Sequence, residues 1–122
     1  MITVFHLSDR ATDTERMDAM LGFDAAKHAS KCAELWMGGR YNVVAAVQSD
    51  SLDYAWQHTN HIDHAWNDVA YAIPAQVVPA STTGQRSSSV GDIMALGDEL
   101  YVVSSFGFTK LDFVSGKHEE VV

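Results

Sequence analysis

Arg86-Ser-Ser-Ser-Val-Gly-Asp-Ile-Met-Ala-Leu-Gly-Asp-Glu-Leu-Tyr-Val-Val-Ser-Ser-Phe-Gly-Phe108 holds the densest run of turn and strand signals in the chain. Val90 to Met94 reads as a loop delivering the chain into a short strand. Gly91 permits a backbone conformation costly to other residues, and the Asp92 side chain is suited to accept from nearby backbone N–H groups. Gly97-Asp98 sits between two apolar runs, Ile93-Met-Ala-Leu96 and Leu100-Tyr-Val-Val103, which is a hairpin signal. Gly107, between two phenylalanines, marks a second turn, a bulge or a close backbone approach. Leu111, Phe113 and Val114 then predict a third strand. The expected product is a three-stranded antiparallel meander. No motif in the stretch names a reaction.

The motif also carries a resemblance. Ser89-Val-Gly-Asp-Ile, a short spacer, Tyr101-Val-Val and Phe106-Gly-Phe resemble the signature of a family of small uncharacterised bacteriophage proteins. They are similar as well to the C-terminal part of YodL-like domains of plasmids and conjugative elements. Upstream, Tyr41 to Val47, Leu52, Ala55-Trp56, Thr59-Asn60, Ile62-Asp63 and Trp66 fit the segment preceding the signature in the phage proteins. The likeness spans roughly residues 40–110 and brings no assigned chemistry with it. It implies a phage-encoded accessory protein in the host cytoplasm.

Outward from that stretch, composition bounds the rest. The 122 residues make one domain with its own core. No apolar run reaches the roughly 18 residues of a membrane span, and Met1–Leu7 lacks the basic start of a signal peptide. The single cysteine, Cys32, excludes an internal disulfide framework and fits a reducing compartment. Sixteen acidic residues against eight Lys and Arg leave a net charge of −8. That argues against nucleic-acid binding, which needs a positive patch. It suits a partner with a basic surface, and it keeps a DNA mimic as an alternative.

Ile2-Thr-Val-Phe-His-Leu7 is β-branched and aromatic and predicts a strand, with Ile2, Val4 and His6 on one face. His6 is expected to be a structural histidine at an edge or half-buried. Thr12-Asp-Thr-Glu15 has capping-box spacing. Met17, Met20 and Leu21 follow at helical spacing and are expected to fill the core, with Gly22 as C-cap; a Met-rich binding face is the alternative. Asp24 should cap a helix over Ala25–Met37, ended by Gly38-Gly39. Ala25, Ala29, Cys32, Ala33 and Trp36 form its apolar stripe, and Cys32 within it is expected to be a buried, inert thiol.

Tyr41–Val47 predicts a strand buried on both faces, as a parallel neighbour of the first through a right-handed crossover. Ser49 or Asp50 should cap a third helix with Leu52, Ala55, Trp56 and Thr59 inward, running on into His58–Trp66. Residues 67–89 are expected to be partly a flexible loop, with a short strand over Ala70–Ile73. Residues 116–122 should form a tail or an edge extension. The expected fold is α+β over 1–122: a mixed or mostly antiparallel sheet with a C-terminal three-stranded meander, packed on two or three helices.

Two constellations are candidates for a site. His58, His61 and His64, with Asp63 beside them, have the spacing of a histidine set for zinc, although a straight helix splays them. Asn60, Asp63, Trp66, Ser89 and Asp92 fall where the resemblance is closest and would line a recognition surface. The structural alternative has Asp63 and Asp92 capping backbone amides and Trp66 anchoring the loop. Ser87-Ser-Ser89 lacks a nucleophile-elbow context, and no phosphate-binding glycine loop occurs. Taken with the phage resemblance, this implies non-enzymatic binding of a host protein, for host takeover or evasion of a defence system, without a cofactor. The alternatives are a metal site on the histidines, a DNA mimic, and a virion or scaffold component.

Overall fold

The computed structural model describes residues 1–21, 25–60, 66–67, 73–80, 85–105 and 107–121. Among them run β1 (Ile2–Leu7), α1 (Asp13–Leu21), α2 (Ala25–Met37), β2 (Tyr41–Val47), α3 (Leu52–His58), β3 (Val77–Pro79), β4 (Ile93–Leu96), β5 (Glu99–Ser104), β6 (Gly107–Lys110) and β7 (Glu119–Val121). The strands form one seven-stranded sheet in the order β3-β2-β1-β4-β5-β6-β7. Every pairing in it is antiparallel. This is a single α+β domain.

The expected C-terminal meander is present, with one shift. Gly97-Asp98 closes the β4–β5 hairpin with Leu96 opposite Glu99. Gly97 has φ of +61° and Asp98 does not have positive φ, the type II′ pattern that matches strand twist. The third strand starts at Gly107 rather than at Leu111. Phe113 and Val114 lie in an exposed turn, Val114 fully so. Asp112 organises that turn by accepting from the backbone N–H groups of Val114 and Ser115, so local hydrogen bonding overrides the apolar pattern. The tail does extend the edge, as β7. Both outer strands are three residues long, one ending in Pro79 and the other carrying Glu119 and Glu120, features that discourage further strand addition.

β1 and β2 are antiparallel, not parallel. A helical hairpin, α1 then α2, returns the chain to the end of the sheet it left. Ser8 N–H donates to Arg40 O at 2.8 Å, tying the exit of β1 to the entry of β2. β2 is not buried on both faces either, since a bulge opposite Val4 and Phe5 leaves Asn42 and Val43 exposed.

Each face of the sheet has its own core. On one, Ile2, Val4, Ala45, Val47, Met94, Val103 and Phe108 pack with Ala55 of α3 and with Trp66. On the other, Leu7, Ile93, Val102 and Leu111 pack with Ala19 of α1 and Ala29, Cys32 and Leu35 of α2. The small residues of α2 let it lie close to the sheet. Trp36 meets Phe5 edge-on at 4.8 Å between ring centroids and fixes its roll. The side chain of Ala25, also placed in this stripe, lies outside the described residues.

α1 is capped as expected: Thr12 N–H donates to Glu15 Oε1 at 2.9 Å and Glu15 N–H to Thr12 Oγ1 at 3.1 Å. Its methionines do not fill the core. Met17 and Met20 are 61% and 52% exposed, while Ala19 is fully buried. The cause is Gly91, which has φ of +95° and comes so close that an added Cβ would stand 2.6 Å from Ala19 O. Seated on backbone, α1 buries Ala19 alone among its described side chains. The caps expected at Gly22 and Asp24, and the side chain of Leu21, lie outside the described residues.

The cap of α3 is Ser51, one residue beyond Asp50 and two beyond Ser49: its Oγ accepts from Tyr54 N–H. It ends at His58, so the helix does not carry all three histidines of the cluster.

Candidate functional site

The loop before β4 is threaded through a buried polar network rather than left free. Its centre is Asp92, 1% exposed. Arg86 donates to it in bidentate fashion, Nη1 to Oδ2 at 2.6 Å and Nη2 to Oδ1 at 2.8 Å. Leu7 N–H donates to Oδ1 at 2.9 Å and Ser89 N–H to Oδ2 at 2.8 Å. Such a carboxylate is pinned as an anion by charge-assisted bonds. Arg86 Nη2 also donates to Leu7 O at 3.2 Å, so the pair stitches the loop to the end of β1. Burial alone would lower the Arg86 pKa; the hydrogen bond and charge of Asp92 reverse this, and the net shift is upward.

A second line of bonds runs from β1 to α3. His6 Nε2 lies 2.8 Å from Ser88 Oγ, which lies 2.8 Å from Thr59 Oγ1, which donates to Ala55 O at 2.7 Å. Because Thr59 spends its proton on the helix carbonyl, it accepts from Ser88, and Ser88 in turn accepts from His6. The neutral imidazole therefore carries its proton on Nε2. His6 Nδ1 is left as a buried acceptor with no partner among the described residues. Burial is the main cause that lowers the His6 pKa to about 4; Asp92 opposes it and Arg86 adds to it. His6 sits on an interior strand and is 4% exposed, not at an edge or half-buried as expected.

The predicted recognition residues converge on this same loop. Asn60 Nδ2 donates to Ser88 O at 2.8 Å and Trp66 Nε1 to Arg86 O at 2.9 Å. Ser89 bonds Asp92 through both its N–H and its hydroxyl. Trp66 is 2% exposed. Trp66 and Asp92 thus do the anchoring and amide-capping work of the structural alternative. Asp63 lies outside the described residues, as do His61, His64 and the Ala70–Ala72 part of the expected strand. Of the histidine cluster, His58 is described; its ring packs against Tyr54 at 4.4 Å. The part of the 67–89 loop described here includes β3 and the tethered Gln85–Ser89 segment, so that segment is not a free surface loop.

Sequence reasoning missed Arg86, His6, Ser88 and Thr59. The signal for Arg86 was a lone cation before a serine run, and nothing local ties it to an aspartate six residues on. His6 and Ser88 are 82 positions apart.

Other reactive groups are quiet. Burial pushes the Cys32 thiol up to about 12, and its sulfur lies 3.6 Å from His28 Nε2. That agrees with the inert thiol expected from its place in the stripe. The Tyr41 hydroxyl donates to Gly91 O at 2.7 Å, and burial raises its pKa far above the usual phenol range. Among the described residues no group of three or more His, Cys, Asp or Glu is placed to hold a metal ion, and no helix is long and apolar enough to cross a membrane.

The outer surface differs in kind. Met17, Met20 and Met37 are more than half exposed on the α1–α2 layer, Met37 reaching 77%. Asp13, Asp18 and Glu34 stand exposed on the same two helices. On the same side of the sheet, beyond the cover of α2, Val43 and Val78 are 51% and 54% exposed.

No protein-family model matches this chain, and neither a curated protein nor a solved structure shows a significant match to it.

Proposed function

We propose that the chain is a non-enzymatic binding module that engages another protein through the α1–α2 layer. The observation that carries this reading is the exposed set Met17, Met20 and Met37 on helices whose sequence spacing pointed the first two inward. Methionine is flexible and polarisable, and it adapts to an apolar partner surface. Asp13 on α1 and the chain's net charge of −8 suit an apolar patch with a basic rim, while Asp18 and Glu34 face Lys31 at 4.0 and 3.8 Å. The buried network supports a binding role from the other side: the hydrogen-bonded groups of Arg86 and Asp92 are engaged internally, and they stiffen the scaffold. The phage resemblance makes the partner a bacterial host protein and the setting the host cytoplasm, with host takeover or evasion of a defence as the outcome.

Affinity capture from bacterial lysate, followed by titration of the purified partner, tests this reading. Met17→Ser/Met20→Ser/Met37→Ser is expected to lose the partner while folding normally. Val43→Ser/Val78→Ser, which removes apolar area from the open sheet face, is expected to keep it. Retained binding by the methionine variant would contradict the reading.

A further inference from the structure

Beside the network, an open groove of about 610 Å³ runs over the junction of β1 and β2. Val43, about half exposed, supplies the apolar wall, with Leu7 and Val44 buried behind it; His6, Ser8, Asp9, Arg16, Asn42, Gln85 and Arg86 supply the polar lining. The polar groups are unevenly spent. Ser8 Oγ donates to Arg40 O, and the two terminal nitrogens of Arg86 are held by Asp92, Leu7 O, Ser87 O and Ser89. Arg16 uses only Nη2, on Ser8 O at 2.8 Å. Asn42 uses only Oδ1, which accepts from Arg10. Arg16 Nε and Nη1, the Asn42 amide N–H₂ and the whole Gln85 side chain have no partner among the described residues.

The unspent groups are mostly donors. Two guanidinium groups line the groove against one exposed carboxylate, Asp9, because Asp92 is buried behind Arg86. In a chain with twice as many acidic as basic residues, that is a local reversal of sign. The volume exceeds what a lone oxyanion needs, and the apolar wall is suited to an organic body.

We propose that this groove binds a small molecule bearing one carboxylate or phosphate group on an apolar body. Arg16 takes the anionic group, Asn42 and Gln85 donate to its remaining oxygens, and the body lies against Val43. Arg86 adds positive potential without leaving Asp92. Arg16 stands next to Met17 on α1, so the groove borders the methionine face, but its test uses no protein partner and is read independently of that face.

Side-chain ¹⁵N NMR of the full chain, titrated with benzoate, phenyl phosphate and neutral benzyl alcohol, decides the matter. Saturable shifts at Arg16 Nε, Asn42 and Gln85 are expected with the two anions and not with the alcohol. The anion that saturates first identifies the preferred group. Arg16→Gln should weaken that anion by about tenfold, the scale of one charge-assisted hydrogen bond. Gln85→Ala, which removes a side chain without partners among the described residues, should weaken it less and serves if Arg16→Gln misfolds. Absence of saturation with both anions, equal shifts with benzyl alcohol, or unchanged affinity in the folded variants would overturn the proposal.

Discussion

The Arg86–Asp92 loop and the α1–α2 layer meet at Gly91, yet they treat their side chains in opposite ways. The loop looked polar and mobile in sequence, and it is fastened inside the domain by bonds to β1, α3 and Trp66. The helix α1 looked amphipathic, and it leaves its largest apolar residues in solvent. The contrast teaches that polarity alone does not locate a working surface here. Buried polar groups fix the shape, and exposed apolar ones remain free for contact.

Asp92→Ala should separate the two regions most sharply. It leaves the Arg86 guanidinium, 41% exposed, without its counter-ion and frees the N–H groups of Leu7 and Ser89. Donors left unsatisfied in this way cost roughly 1–3 kcal/mol each, to be read by urea unfolding. A loss below about 1 kcal/mol would mean that the loop is not the lock described.

His6 gives a pH signature of similar size. The unfolded chain protonates this imidazole near 6.5 and the folded chain near 4. Between those values the unfolded state takes up a proton that the native state refuses, so stability falls as pH drops through that window. At 1.36 kcal/mol per unit the loss reaches roughly 3 kcal/mol. Denaturant titrations at neutral pH and near the folded value should show it, and His6→Asn should flatten the dependence. An equal slope in that variant would place the titration elsewhere.

Thr59→Val tests the relay alone. It removes the hydroxyl that accepts from Ser88 and donates to Ala55 O, and should cost roughly 1–3 kcal/mol. Met17→Ser/Met20→Ser lies at the small end for stability, within about 0.5 kcal/mol, since surface substitutions seldom do more. Thermal unfolding checks both. A large destabilisation by the methionine pair would show that those side chains support the core.

The elements were legible where their causes are local. The Thr12/Glu15 capping box, the span of α2 before Gly38-Gly39, the strands Ile2–Leu7 and Tyr41–Val47, and the Gly97-Asp98 hairpin all depend on residues a few positions apart. The rest depends on distant partners. The direction of β1 against β2 follows from how the helical hairpin folds back, and strand composition is blind to that. The outward methionines follow from Gly91 reaching Ala19, which no helical period encodes. Within the candidate site, Asp92 was legible as an amide cap because Ser89 is its neighbour. Arg86 was not, since its attachments to Leu7 and Trp66 are distant in sequence. His6 was read as a strand residue, with no hint of Ser88 across the sheet.

Methionine-methyl NMR of the purified protein with its captured partner tests the central claim most directly. The account predicts that the Met17, Met20 and Met37 methyl signals shift or broaden on binding, while the buried Met94 methyl stays put. Unchanged signals from the three exposed methionines in a saturated complex would contradict it.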